Sequence, residues 1–213
     1  MKTFYFVRHG LSTGNKSDAF YVDHNIELAE EGIEQAKIIG RRLSFYPADM
    51  IITSKLKRAI QTAQIIVENI NSDIPINIIE EVHEIEAAKT LYGHKRDSEH
   101  AKNTTLLEEA NAHDENFKLE GKESIKEIKA RVREFLDYLS NVENDNIIII
   151  THGHFLRYII ACNIIGYDAP SNLYRDISFA IAVADNTSIT TITYDDNAKY
   201  KWKLKSYNDN THL

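Results

Sequence analysis

Phe4-Tyr5-Phe6-Val7-Arg8-His9-Gly10 is an apolar, β-prone run that ends in a charged pair and a glycine. Such a run forms a strand, and the glycine turns the chain sharply after it, so Arg8 and His9 fall at the strand's carboxyl end. In open α/β sheets that is where ligands sit. One arginine beside one histidine is an ordinary surface feature when it stands alone. Here it has company, because Asn146-Ile147-Ile148-Ile149-Ile150-Thr151 runs straight into His152-Gly153-His154. A second strand delivers a second His-Gly pair to the same rim.

The chain has 213 residues, 43% of them apolar and 27% charged, enough for a substantial core and within the range of one α/β domain. Its formal net charge of -7 argues against non-specific attraction to nucleic acid or an acidic membrane, so any anion site has to be concentrated in a pocket. Cys162 lies in the run Tyr158-Ile159-Ile160-Ala161-Cys162 and reads as a buried, inert thiol. As the only cysteine, it excludes a disulfide within the chain. The N-terminal stretch lacks the small-residue cleavage pattern of a secretory signal, and no run approaches the ~18–20 apolar residues of a membrane span. The expectation is a soluble cytoplasmic protein.

Strands and helices alternate along the chain, which places it in the α/β class. Leu11-Ser12-Thr13-Gly14-Asn15 has the small, polar composition of a binding loop, extending to about His24-Asn25. From Glu30, Ile33, Ala36, Gly40 and Leu43 recur at helical spacing to an end near Ser44. After Pro47 comes the strand Met50-Ile51-Ile52, and Thr53-Ser54 can cap a helix whose stripe is Ala59, Ile60, Ala63, Ile66, Val67 and Ile70. Asn71-Ser72-Asp73 breaks that helix, Ile76–Ile79 reads as the next strand, and Glu80 to Glu84 follow its end. Residues 86–117 have weak periodicity and charges of both signs, an excursion from the core that roofs the pocket. Gly121-Lys122-Glu123-Ser124 opens a long amphipathic helix, and Phe155 to Ile165 forms a nearly all-apolar one with Gly166 as its terminator. Runs at Ala180–Ala184, Ser188–Thr193 and Lys201–Lys205 read as closing strands, partly antiparallel, with turns at Asp185-Asn186 and Asp195-Asp196-Asn197. One domain spans residues 1–213.

The chemistry is built from what the strand ends present. Arg58 lies in the first turn of a helix that follows a strand, so it can point back to the rim that holds Arg8. Two arginines and two histidines converge. Guanidinium forks match phosphate oxygens, and a helix N-terminus adds oriented N–H donors. A phosphoryl group is the ligand implied.

Arg8-His9-Gly10 with Asn15, the run Ser54-Lys55-Leu56-Lys57-Arg58-Ala59-Ile60-Gln61-Thr62-Ala63, and Thr151-His152-Gly153 resemble the histidine phosphatase, or phosphoglycerate mutase-like, superfamily. Leu28-Ala29-Glu30-Glu31-Gly32, Gly121-Lys122-Glu123-Ser124 and the tail Asn208 to Leu213 agree, so the likeness covers nearly the whole chain. The resemblance implies a three-layer α/β/α sandwich with a mainly parallel central sheet. It implies His9 as the nucleophile that forms a phosphohistidine, with Arg8, Arg58, Asn15, His152 and the Gly153 N–H around the phosphoryl oxygens. It also implies a glutamate after the third strand as proton donor, which Glu84 fits, with Glu86 as the fallback. A ring of fixed donors can stabilise the charge that phosphoryl transfer develops, so neither metal nor other cofactor is called for.

The sequence also departs from the family pattern. Leu11 stands where the family often carries Glu or Gln, and Tyr92-Gly93 is out of register with Glu84 for the mutase branch. The expected activity is hydrolysis of phosphate monoesters. The alternatives are a mutase-type phosphotransferase, a non-catalytic phosphate-binding interaction domain, and a metal site built from His9, His152, His154 and nearby carboxylates. Against the last, two arginines would repel a cation. The expected partner is a small-molecule phosphate ester, with no nucleic acid and no membrane; the oligomeric state, a homodimer included, is left open.

Overall fold

Six strands and six helices are formed by the residues that the computed structural model describes, which are 1–20, 25–70 and 73–213. The strands are β1 (Lys2–Arg8), β2 (Met50–Thr53), β3 (Ile76–Ile78), β4 (Asn146–Thr151), β5 (Ile189–Tyr194) and β6 (Trp202–Asp209). The helices are α1 (Glu30–Leu43), α2 (Lys57–Ile70), α3 (Glu99–Ala110), α4 (Ile125–Asn141), α5 (Gly153–Ile165) and α6 (Ser171–Ala180). They build one sheet in the order β3-β2-β4-β1-β5-β6. The first four of these run parallel, and β5 and β6 are antiparallel additions at one edge.

The strands read as unbroken apolar runs because both of their faces are covered. Phe4, Phe6, Ile147 and Ile149 pack with Ile128, Val132 and Phe135 of α4 and Phe155 and Ile159 of α5. The alternate residues Tyr5, Val7, Ile148 and Ile150 pack on the other side with Ile39 and Leu43 of α1 and Ala63 and Ile66 of α2. That is the expected three-layer sandwich. Register does the positioning: Arg8 pairs with Thr151, and Thr53 with Ile150, so three parallel strands end level with one another.

Local sequence explains most boundaries. Ser124 and Glu127 form a reciprocal capping box at the start of α4, and Gly166, at φ 75°, ends α5 in a conformation that a side chain would resist. In residues 86–117 the structure forms a 3-10 turn at Lys89–Leu91 and then α3, which buries only Ala101 and Thr104. A helix that buries so little leaves almost no periodic trace. A small separate cluster of Ala88, Leu91 and Ala101 anchors this segment. Among the described residues, no helix is long and apolar enough to cross a membrane.

Two readings need correction. The run Ala180–Ala184 is not a strand: α6 ends at Ala180, and the carbonyls beyond it are taken by side chains, Ala182 O by the Tyr207 hydroxyl and Ala184 O by Arg8 Nη1 at 2.6 Å. The last strand is longer than Lys201–Lys205, because its pairing with β5 runs on to Ile189 opposite Asp209. Helix α6 itself was not foreseen, although Pro170 and the spacing of Tyr174, Ile177 and Ile181 mark it. The expected loop end at His24 and the break at Asn71-Ser72 lie outside the described residues.

Candidate active site

His9 follows β1 directly and is 2% exposed. Its Nδ1 lies 2.7 Å from Gly10 O. A carbonyl can only accept, so Nδ1 carries the proton and Nε2 presents a lone pair. Arg58 Nε donates to that Nε2 at 3.2 Å. Burial first, and then the charges of Arg58 and Arg8, hold His9 well below the usual imidazole range, so it is neutral at pH 7.

His152, fully buried, precedes α5 with its ring 5.1 Å from that of His9. Arg58 Nη2 lies 3.4 Å from its Nδ1, and a guanidinium can only donate; Nε2 therefore carries the hydrogen and gives it to Ser54 Oγ at 2.7 Å. Burial and then Arg58 push His152 down as they do His9. Arg58 thus spans both rings. Ser54, read in the sequence as a helix cap, does accept from Leu56 N–H at 3.3 Å, but its hydroxyl also fixes the His152 ring.

Around these rings the backbone is drawn tight. Gly10 N–H donates to Thr62 Oγ1 at 3.1 Å, and that hydroxyl donates to Arg58 O at 2.7 Å, so the loop after β1 is tied to the first turns of α2. Arg8 lies over Gly153: a Cβ there would stand 3.5 Å from Arg8 Nε. That Nε is buried and has no hydrogen-bond partner, an N–H prepared for an acceptor that the protein does not supply. Asn15 Oδ1 accepts from Ser12 N–H at 3.2 Å and Ser12 Oγ at 2.9 Å, which turns its amide nitrogen the other way. Asn186, from the turn before β5, donates to His9 O at 2.8 Å and stands 3.5 Å from Asn15 Oδ1. Sequence reading saw only turn chemistry at Asn186, and took Thr62 as part of a helix; neither partner is local.

Glu84 sits against the start of α5. Its Oε1 accepts from Ile85 N–H at 2.9 Å and Phe155 N–H at 3.0 Å, and its Oε2 from His154 N–H at 3.2 Å. Glu84, Glu86, Arg8, His9, Asn15 and Arg58 share one cleft of about 650 Å³, which Gly153 and Asn186 also line. Leu91, Arg96 and Glu108 bring residues 86–117 to its wall. His152 lies just beneath that surface. All the candidate residues therefore converge. Among the described residues, no group of three or more His, Cys, Asp or Glu side chains could hold a metal ion.

Guanidinium and helix donors grouped about a neutral imidazole suit proteins that move phosphoryl groups. The chain belongs to the histidine phosphatase superfamily (branch 1), whose profile matches residues 4–210. With that family goes the class of the enzyme, a phosphoric monoester hydrolase. Over 208 residues it is 27% identical to an uncharacterised phosphatase, PhoE, of Bacillus subtilis, covering 97% of this chain and 94% of that one. Over 68 residues it is 41% identical to a 2,3-bisphosphoglycerate-dependent phosphoglycerate mutase of Histophilus somni, a match that covers 31% of this chain and 30% of the mutase. Its fold superposes on a phosphoserine phosphatase variant of Entamoeba histolytica in complex with phosphoserine, with a TM-score of 0.74, 24% identity and full coverage of both chains.

Proposed function

We propose that the protein hydrolyses small-molecule phosphate monoesters through a phosphohistidine on His9, without a metal. The observation that carries this reading is the His9 tautomer, with Nδ1–H on Gly10 O and the Nε2 lone pair beside Arg58. In the first step Nε2 attacks phosphorus and the bond to the ester oxygen breaks. Arg58 moves its Nε–H from His9 to a phosphoryl oxygen, while Arg8 Nε–H, the Asn15 amide, His152 and the Gly153 N–H hold the others. Glu84 gives its proton to the leaving oxygen. Oε1 accepts two N–H groups and Oε2 only one, so Oε2 is the oxygen with room to pass the proton. In the second step water attacks phosphorus, Glu84 takes a proton from it, and the P–N bond breaks to return His9 and free phosphate.

The remaining assignments rest on the same reading. Residues 1–213 act as one domain with 86–117 as the roof of the cleft, and the enzyme works in the cytoplasm. Glu86 lines the cleft too, but Glu84 is the one held at the start of α5.

The test is to quench the reaction with a labelled aryl phosphate after milliseconds. An adduct that is stable in alkali and lost in acid is expected on the native protein, undiminished by a chelator, and His9→Ala should show neither label nor turnover. Turnover that survives His9→Ala overturns the covalent route.

A further inference from the structure

Two arginines are buried beside the strand ends, and they are treated differently. Arg131, 9% exposed, has Glu123 on two of its nitrogens at 2.8 and 2.6 Å, and gives a third to Glu81 O and His83 O. That guanidinium is fully matched. Arg157, 6% exposed, lies one turn beyond Gly153 on α5 and lines the cleft. Its Nε donates to Ser178 O, Phe179 stacks on it at 4.9 Å, and its Nη1 stands 3.5 Å from His154 Nδ1. Among the described residues, no carboxylate lies within ion-pair distance of it, and its hydrogen bonds run through Nε and Nη1 alone. Glu84, Tyr158 and Tyr207 act on it only through their fields, and the Glu84 oxygens are engaged by backbone N–H groups. Lys122, which also lines the cleft, is neutralised by Glu108 at 2.5 Å. A cation kept out of water without a counter-charge is costly, and such groups are retained where something else supplies the charge.

Resting on the phosphatase reading above, we infer that the leaving group carries a second anionic group, which Arg157 receives. Arg157 lies four residues beyond Gly153, about 6 Å further along the helix axis. That spacing suits an acid a few bonds from the ester oxygen, such as a phosphorylated hydroxy acid or amino acid, or a bisphosphate. A carboxylate and a second phosphate have the same chemistry here: both take two N–H groups of one guanidinium. The grip comes from α5, below the cleft, and owes nothing to the acidic roof.

Matched substrates test it: 3-phosphoglycerate against glycerol 3-phosphate for the carboxylate, and 1,3-propanediol bisphosphate against 3-hydroxypropyl phosphate for the second phosphate. At least one anionic member should be preferred by about 10–100-fold in kcat/KM, the size of a lost charge-assisted pair. The pair that shows it identifies the group. Arg157→Gln should bring that ratio close to one, and Arg157→Lys should restore part of it. Equal losses for both members of each pair would mean that Arg157 only braces α5 against α6, and the inference fails. It fails as well if the native ratio is near one. Calorimetric binding of the same compounds to His9→Ala, with and without Arg157→Gln, reads the subsite without turnover. Selectivity in binding with no hydrolysis by the native protein would overturn the phosphatase reading and keep this one.

Discussion

His9 and His152 are buried as neutral rings, and the protein carries that choice into its acid stability. The unfolded chain protonates both imidazoles below about pH 6.5 and the native chain does not, so the unfolded state binds more protons there. Stability is therefore complete above pH 6.5 and falls as pH drops towards the depressed native values, by about 1.4 kcal/mol per pH unit for each group. His212, also pushed down by burial, adds to the slope. Asp209, held at about 2 beside Arg42, loses its contribution only between about pH 4 and 2, outside this window. Urea unfolding at pH 7.5 and 5.5 should show His9→Gln losing about one proton's worth of this dependence; an unchanged slope would mean that His9 is protonated in the native state. At this scale the gathering of Arg8, His9, Arg58, Glu84 and His152 at one rim was legible, because each follows a strand or opens a helix. The sequence did not disclose Thr62, Asn186 or Arg157. Their distant partners are backbone groups, Gly10 N–H, His9 O and Ser178 O, and Arg157 was passed over inside a helix read as almost wholly apolar.

Elements hold the site through backbone packing as much as through side chains. Leu11 O accepts from Ala29 N–H at 2.8 Å, and Leu11 N–H donates to Gln35 Oε1 at 2.9 Å, so the loop that carries His9 rests on the first turns of α1. At that contact a Cβ on Gly32 would come within 2.0 Å of Leu11 O, and one on Gly10 within 2.5 Å of Gly32 O. Both obstacles are backbone, which cannot rotate away. Gly32→Ala should cost at least about 1–3 kcal/mol. It should also lower the melting temperature by several degrees at ~2–4 °C per kcal/mol for a chain of this size, with a larger fractional loss of kcat than Glu30→Ala on the exposed face. A variant as stable and active as the native protein would show that the two segments are not in contact. Elements with strong local signals were legible: the capping box of α4, Gly166 after α5, and the doubly covered strands. Helix α6 and the 181–184 segment were not, since short apolar residues at a cleft edge look like a strand until their carbonyls are seen to be taken by Arg8 and Tyr207.

For the molecule as a whole, the cleft decides between passing the phosphoryl group to water and passing it back to the substrate. A mutase has to shield its phosphohistidine from water through successive half-reactions. Here segment 86–117, which reaches the wall of the cleft of about 650 Å³, carries Glu86, Asp97, Glu99, Glu108, Glu109, Asp114 and Glu115 against Lys89, Lys95, Arg96 and Lys102. Free phosphate should therefore be the main product when 3-phosphoglycerate is supplied with its bisphosphate primer. Rapid formation of the 2-phospho isomer with little phosphate release would place the enzyme in the mutase branch. The sheet order has a further consequence, for synthesis. β1 is made long before both its neighbours, β4 from Asn146 and β5 from Ile189. At ~5–20 residues per second, Phe4-Tyr5-Phe6-Val7 waits roughly seven seconds or more on the nascent chain before a sheet neighbour can pair with it. During that interval this apolar segment stands without a strand partner, the kind of exposed surface that chaperones exist to shield.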